Sequence, residues 1–490
     1  MKYQQRPRIV LVPYPAQGHV TPMIQLAAAM CCHGFRSVIV TPSFIHDRIA
    51  GKAERLDEVV FLPIADGLER DEHRDFLAID FAMENNMPIH LEGVLRSFEG
   101  DGGVACVMID LLASWAIAVA GRCGIPVAGF WPAMLATYNL ISAIPEMISA
   151  GVLSENGTPM HDNGDKNSQV QFLPGQPMLS TQDLPWLVGN PAARISRFSF
   201  WLKTTQRSRS LQWLLVNSFQ EEDGPQPHPS SLPSPHHHRP RVLRVGPLST
   251  HTKTNPSFWE EDRSCLDWLS KQEAGSVVYV SFGSWVGPIG DGKVAELALG
   301  LEASRMPFIW VLGPSWRYGL PDGYLERVAD RGKVVAWAPQ REVLDHQAVG
   351  CFLTHCGWNS TLEAIECRKP LLCYPVAGDQ FLNCAYIVDV WKIGARVGGP
   401  DRKAVEEGVA RVMMGVEGQE MSKRVMQLKE RISMEDGCGG SSAVTGLTAF
   451  LDELQMMKHD SKKEQEKKNS FGLMAAVECH KQLFCFNGCS

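Results

Sequence analysis

The stretch from Val349 to Glu366 restricts the fold more than any other part of the chain. A short apolar β-prone run, Val349 to Thr354, meets a turn at His355-Cys356-Gly357, and Thr361 to Glu366 then has helix-forming composition. Strand, glycine turn and helix form the repeating half-unit of a parallel α/β sheet. The chain opens the same way: Arg8 to Pro13 is an apolar run, Pro15-Ala16-Gln17-Gly18-His19 a loop, and Met23 to Met30 a helix. Further strands are expected at Ser37–Thr41, Val59–Pro63, Ala105–Ile109 ending on Asp110, and Ile125–Phe130 after a helix at Leu111–Arg122. This alternation predicts a doubly wound sheet with ligands at the carboxyl ends of its strands.

At 490 residues the chain is long enough for two such units. Leu214–Phe219 is expected to close the first, and Val242–Leu248 to open the second, with strands at Ser276–Gly283, Phe308–Leu312 and Val334–Val335. Between them Glu221–Arg239 is proline-rich and reads as a linker; its His236-His237-His238 triplet is read as solvated rather than metal-binding. Ala150–Pro185 is polar and turn-rich, a long loop or lid. After Gln380 come helices at Leu382–Val390, Arg402–Met414 and Glu420–Ile432, a joint at Gly437–Ser442, and a helix at 443–457. Residues 458–490 begin with a lysine-rich run and are expected to be a disordered tail. The expected domains are thus 1–240, 241–442 and a terminal helix.

Two constellations carry chemistry. In the first, Asn359 and Ser360 fall at the start of a helix, where free N–H groups and the dipole suit an anion such as a diphosphate, and His355 precedes them. Glu363 lies on the same helix face as Asn359 and suits ribose hydroxyls. Asp379-Gln380, a carboxylate beside an amide, suits sugar hydroxyls. The second pairs His19 and Asp110, each just past a strand: a base and the group that orients it. A third pattern, Gly290-Asp291-Gly292-Lys293-Val294-Ala295, matches a dinucleotide loop but starts several residues after its strand. Phe308–Leu312 also ends in Gly313-Pro314-Ser315, with no carboxylate for a ribose. A nicotinamide-dependent oxidoreductase is therefore the weaker reading.

The net charge of −7 and a pI near 6.1 argue against nucleic acid or an anionic membrane as partner and favour a small neutral or weakly polar acceptor. The longest apolar candidate span, Val104–Ala120, is broken by Asp110 and Ser114, and the first residues lack a signal-peptide core, so a cytoplasmic protein is expected. Fourteen cysteines without C-x-x-C pairs suggest reduced thiols and no zinc site.

From Trp337 to Gln380 the chain resembles the signature box of the plant family-1 UDP-dependent glycosyltransferases. WAPQ at 337–340, HCGWNS at 355–360, Glu363 and the closing Asp379-Gln380 all fall in register without a gap. Arg368-Lys369-Pro370 and Val376-Ala377-Gly378 depart from the usual residues. The resemblance implies a GT-B fold, two Rossmann-like domains facing a cleft, with the last helix crossing back to the first domain. It implies that Trp337 stacks on uracil, that Ala338 and Gln340 hold the nucleoside and Glu363 the ribose, and that Ser284, His355, Asn359 and Ser360 hold the diphosphate. Trp358, Asp379 and Gln380 would face the sugar, and a closing Gln goes mostly with glucose. PYPAQGHVTP resembles the motif of the catalytic histidine, His19, with Asp110 its partner. The implied activity is inverting glucosyl transfer from UDP-glucose, without metal or other cofactor, to a hydroxyl or carboxyl of a plant phenolic, flavonoid or terpenoid. Phe130, Trp131, Tyr138 and Trp186 are the candidate acceptor-pocket residues, with Leu135, Leu140, Leu184 and Phe200 as further lining. A monomer is expected. A catalytically silent nucleotide-sugar binder remains the alternative.

Overall fold

The computed structural model describes residues 6–49, 51, 59–69, 74–100, 102–160, 169–220, 240–248, 257–284, 289–399, 401–434 and 444–457. The expected linker at 221–239 with its histidine triplet, the joint at 437–442 and the tail at 458–490 lie outside these residues.

Two parallel sheets carry the chain. The first contains β1 (Arg8–Val12), β2 (Arg36–Pro42), β3 (Val59–Ile64), β4 (Val104–Asp110) and β5 (Val127–Trp131). A small antiparallel pair, β6 (Gln169–Val170) and β7 (Leu179–Ser180), stands apart; β8 (Trp213–Val216) and β9 (Arg241–Arg244) complete the first sheet in the order β3-β2-β1-β4-β5-β8-β9. The second sheet holds β10 (Val277–Ser281), β11 (Phe308–Val311), β12 (Gly332–Val335), β13 (Val349–Thr354), β14 (Leu371–Cys373) and β15 (Gly394–Arg396), ordered β12-β11-β10-β13-β14-β15. Every residue of β1 and β10 is buried, so both faces are covered, as a sheet flanked by helices requires.

Both orders reverse direction at one place, between β1 and β4 and between β10 and β13. There the crossovers leave to opposite faces and open a crevice at the strand ends. His19 follows β1 and Asp110 ends β4; Ser284 follows β10 and His355 follows β13. The four expected polar residues therefore stand at the two switch points.

β9 corrects one expectation. The segment from Val242 was read as opening the second domain, but it pairs in parallel with β8 as the seventh strand of the first sheet. The chain is tied there after the strand too: Val245 N–H donates to Val216 O at 2.8 Å and Leu248 N–H to Asn217 Oδ1 at 3.1 Å. Nothing local in the sequence distinguishes a last strand from a first one.

The helix 444–457 packs on the first sheet. Leu447, Phe450, Leu451 and Leu454 are buried in one cluster with Ile9, Leu11, Phe130 and Trp213, and Glu453 accepts from Trp213 Nε1 at 2.7 Å and pairs with Arg241. The region 150–185, read as a loop, includes the β6–β7 pair and is anchored by Trp186. No helix among the described residues is long and apolar enough to cross a membrane.

Candidate active site

A cleft of about 930 Å³ runs between the two sheets and is lined from both. On the first-sheet side the helix Gln17–Cys32 begins where β1 ends, so His19 lies in its first turn, about a quarter exposed. Its Nδ1 lies 2.7 Å from Asp110 Oδ2, and Asp110 is fully buried behind it. Asp110 is held in turn, its Oδ1 accepting from Leu112 N–H at 2.9 Å. With Nδ1–H donated to the carboxylate, Nε2 is the unprotonated nitrogen and the acceptor for a substrate proton. The edge of Tyr14 packs on the imidazole at 5.2 Å between ring centres.

On the second-sheet side His355 sits in the β13 turn against two glycines. A Cβ at Gly357 would come within 2.4 Å of its Nε2 and one at Gly283 within 2.8 Å, so both turns need glycine for the ring to fit. Burial pushes His355 down to about 4, with the Ser281 backbone working the other way, so the ring is neutral at pH 7. Its Nδ1 is enclosed without a hydrogen-bond partner, as are Gln17 Oε1, Thr21 Oγ1 and Thr137 Oγ1, all from residues lining the cleft. Orphaned polar atoms on both sides of the cleft mark where a polar ligand belongs.

Gln340 organises one end of the cleft. Its Nε2 donates to Glu363 Oε2 at 2.7 Å and to Ser360 Oγ at 3.0 Å, and its Oε1 accepts from Tyr279 OH at 3.2 Å. Glu363 is held up to about 7, chiefly by burial, against the pull of the Gln340 amide. Trp337 is half-buried at the rim, its ring 6.1 Å from that of Trp259 and tilted by 45°. At the opposite end the Gln380 Oε1 accepts from Val376 and Ala377 N–H, both at 2.9 Å, which folds the loop and leaves the amide nitrogen for a ligand. Burial raises Asp379; the Asn383 amide and the charge of His19 across the cleft oppose it.

All eleven residues expected on the donor side line this one cleft, together with His19. Two of them also join the sheets. Asn359 Nδ2 donates to Gly18 O at 2.8 Å, and Trp358 Nε1 to Asn217 O at 2.7 Å, its ring stacked on Phe219. The departure at Lys369 has a structural use: its Nζ donates to His346 O and Val349 O, at 3.1 and 2.9 Å.

Three of the four expected acceptor-pocket residues do not reach the cleft. Phe130 is fully buried in the first-sheet core, because strand neighbours point to opposite faces and Trp131 takes the cleft side. Tyr138 packs against Trp131 from behind. Trp186 is fully buried, donating from Nε1 to Gly157 O at 2.7 Å and resting on Phe198. Of the further apolar candidates Phe200 lines the cleft, while Leu135, Leu140 and Leu184 are core. Sequence reading missed Tyr14, Phe76, Trp201 and Arg197, which also line the cleft. Two of these had a usable signal: Arg197 and Trp201 share one face of the helix Pro191–Ser208 with the expected Phe200.

The described residues also bring three thiols together, which spacing alone concealed. Cys356, Cys373 and Cys384 come from separate elements, and their sulfurs lie within 4.8 Å of one another. Arg396 Nε donates to Cys384 Sγ at 3.3 Å; hydrogen bonds from the other two thiols and this guanidinium draw the Cys384 thiol down.

The family described as UDP-glucoronosyl and UDP-glucosyl transferase matches residues 231–429. The chain is 49% identical over 450 residues to UDP-glycosyltransferase 82A1 of Arabidopsis thaliana, covering 88% of this chain and 95% of that one. The chain belongs to the plant family-1 UDP-glycosyltransferases. Flavonol 3-O-glucosyltransferase UGT76E12 of the same plant is 33% identical, covering 89% of this chain and 94% of its own. Among solved structures, Os79 from O. sativa in complex with UDP superposes with a TM-score of 0.76 at 26% identity, covering 91% of this glycosyltransferase and 100% of Os79. A UDP-glucose: anthocyanidin 3-O-glucosyltransferase, at 24% identity and a TM-score of 0.77 over 93% of this chain and 100% of its own, shares the GT-B fold.

Proposed function

We propose that this glycosyltransferase moves glucose from UDP-glucose to a hydroxyl of a small, mostly apolar metabolite, with inversion at the sugar carbon. The observation that carries this reading is the His19–Asp110 pair, 2.7 Å apart, opposite the Asp379-Gln380 loop across one cleft. His19 Nε2 takes the proton from the acceptor hydroxyl, and Asp110 stabilises the imidazolium that forms. The acceptor oxygen bonds to C1 of the α-linked glucose from the face opposite the diphosphate. The C1–oxygen bond to UDP breaks, its electron pair leaves with UDP, and a β-glucoside results. General-base help contributes roughly 10²–10⁴-fold. Positioning and charge stabilisation supply the remainder. The start of the helix Trp358–Glu366, with Ser284 and His355, supplies donors for the leaving diphosphate; the proposed step uses no metal.

The name of the flavonol relative supports a hydroxylated aromatic acceptor, and the aromatic wall of Trp131, Phe200 and Trp201 fits one. Release of UDP together with a hexose-shifted product from UDP-glucose and a panel of hydroxylated phenolics tests the proposal. Wild type yields product; His19→Ala loses it by at least about 10²-fold while binding UDP-glucose as before. Donor binding with no product from wild type would favour the silent binder instead, and an active His19→Ala would move the base elsewhere.

A further inference from the structure

The helix Pro191–Ser208 carries several cations, and they are not treated alike. Lys203 Nζ lies 3.4 Å from Asp80 and 2.9 Å from Glu84, and Arg207 Nη1 lies 2.8 Å from Glu84, so both are neutralised by the helix Phe76–Asn85. Arg197 also faces that helix but meets a ring, its guanidinium 4.4 Å from the centre of Phe76. Among the described residues it has no carboxylate within ion-pair distance, and its Nε is enclosed without an acceptor. Asp75, whose charge acts on Arg197 without pairing with it, spends its Oδ1 on Leu77 and Ala78 N–H, each at 2.9 Å, as the helix cap. Arg197 lines the cleft, half-buried, and desolvation is the main cause of a lowered pKa. A guanidinium held this way, forked and short of a counter-ion among aromatic groups, is a receptor for a planar anion.

We propose that the acceptor is a hydroxyaryl carboxylic acid, its carboxylate held by Arg197 and its hydroxyl presented to His19. This rests on the glucosyl-transfer reading above and specifies its substrate class. The lining supports an aromatic skeleton: Phe76, Trp131, Phe200 and Trp201 face the same cleft as Arg197 and His19. Arg197, Tyr14 and His19 line the same cleft; the charge of Tyr14 acts on Arg197, and the Tyr14 ring packs on that of His19 at 5.2 Å between centres, so one residue stands next to both the anion site and the base. The carboxylate anchors and does not react. It is already deprotonated and would leave the His19–Asp110 base idle, whereas a hydroxyl needs that base. The net charge of −7 made a neutral acceptor the expectation from composition, but whole-chain charge is screened over roughly a Debye length of 10 Å. Recognition in a cleft is decided by the cation that faces it.

A matched pair of probes, p-hydroxycinnamate and its methyl ester, tests this with UDP-glucose as donor. Charge-assisted hydrogen bonds of this kind predict that wild type favours the acid in kcat/KM by roughly ten- to a hundredfold. Arg197→Met is expected to bring that ratio to about one, and Arg197→Lys to restore part of it; unaltered UDP binding confirms that each variant is folded. The product should withstand hydroxylamine, as a phenolic glucoside does. Binding of each probe, followed by quenching of tryptophan fluorescence, reads the same preference without turnover. Equal use or binding of acid and ester, binding of neither, a preference that survives Arg197→Met, or a hydroxylamine-labile glucose ester would each overturn the proposal. Preferential binding of the acid without release of UDP would leave it standing and remove glucosyl transfer instead.

Discussion

Trp337 and Glu363 bear the nucleoside end of the site in different ways. Trp337 offers a half-buried indole face, and stacking of a base on such a face is worth roughly 1–3 kcal/mol. Trp337→Ala is therefore expected to weaken UDP binding about tenfold or more, measured by calorimetry; unchanged affinity would remove the stacking role. Glu363 offers a carboxyl held up to about 7, chiefly by burial. Because its folded value lies above the ordinary 4.5, it favours the fold below that value and loses this contribution as pH rises through about 7. Ligand binding runs the other way, since the ionised form is the better acceptor for ribose hydroxyls. UDP affinity should thus tighten between about pH 6 and pH 8, and Glu363→Gln should flatten that part of the dependence. An identical pH profile in the variant would assign the effect to the diphosphate alone.

Among the elements, the helix Pro191–Ser208 and the segment before it build part of the first-sheet side of the cleft. That segment depends on Gly157, whose φ of +78° and contact with Phe198 exclude a side chain; an added Cβ would lie 2.3 Å from the Phe198 ring. Gly157→Ala combines backbone strain with overpacking, and a loss of roughly 2–4 kcal/mol is expected, visible as a lower urea midpoint. A midpoint equal to wild type would show that Phe198 yields freely. The strands supply the other side of the same argument. In β5 alternation sends Trp131 to the cleft and Phe130 to the core. A residue list drawn from aromatic character alone could not separate them.

At the scale of the molecule, the last helix closes the structure onto its beginning. Leu447, Phe450, Leu451 and Leu454 are each no more than 3% exposed against the first sheet. Removing four such side chains costs about 6–12 kcal/mol at 1.5–3 kcal/mol each, comparable to the whole stability of a domain. A chain ending at residue 443 should therefore fail to give a cooperative thermal transition, while one ending at 457 keeps it. The bonds from Trp358 to Asn217 and from Asn359 to Gly18 join the sheets on either side of the cleft. The donor motif thus also sets the geometry between donor and base.

The sequence alone determined the strand-turn-helix units and the polar groups standing at the carboxyl ends of their strands. These are local properties: hydrophobic period, glycine at a turn and a cap residue at a helix start are each written within a few neighbouring residues. For the same reason the residues from Trp337 to Gln380 that line the cleft were legible almost completely. Only the tertiary structure decided that β9 joins the first sheet, that Trp186 and Phe130 are core, that three thiols from separate elements meet, and that Arg197 faces the cleft without a carboxylate within ion-pair distance among the described residues. Each depends on which distant segments pack together. The burial that decides such packing is non-directional and carries no local pattern by which one apolar partner differs from another.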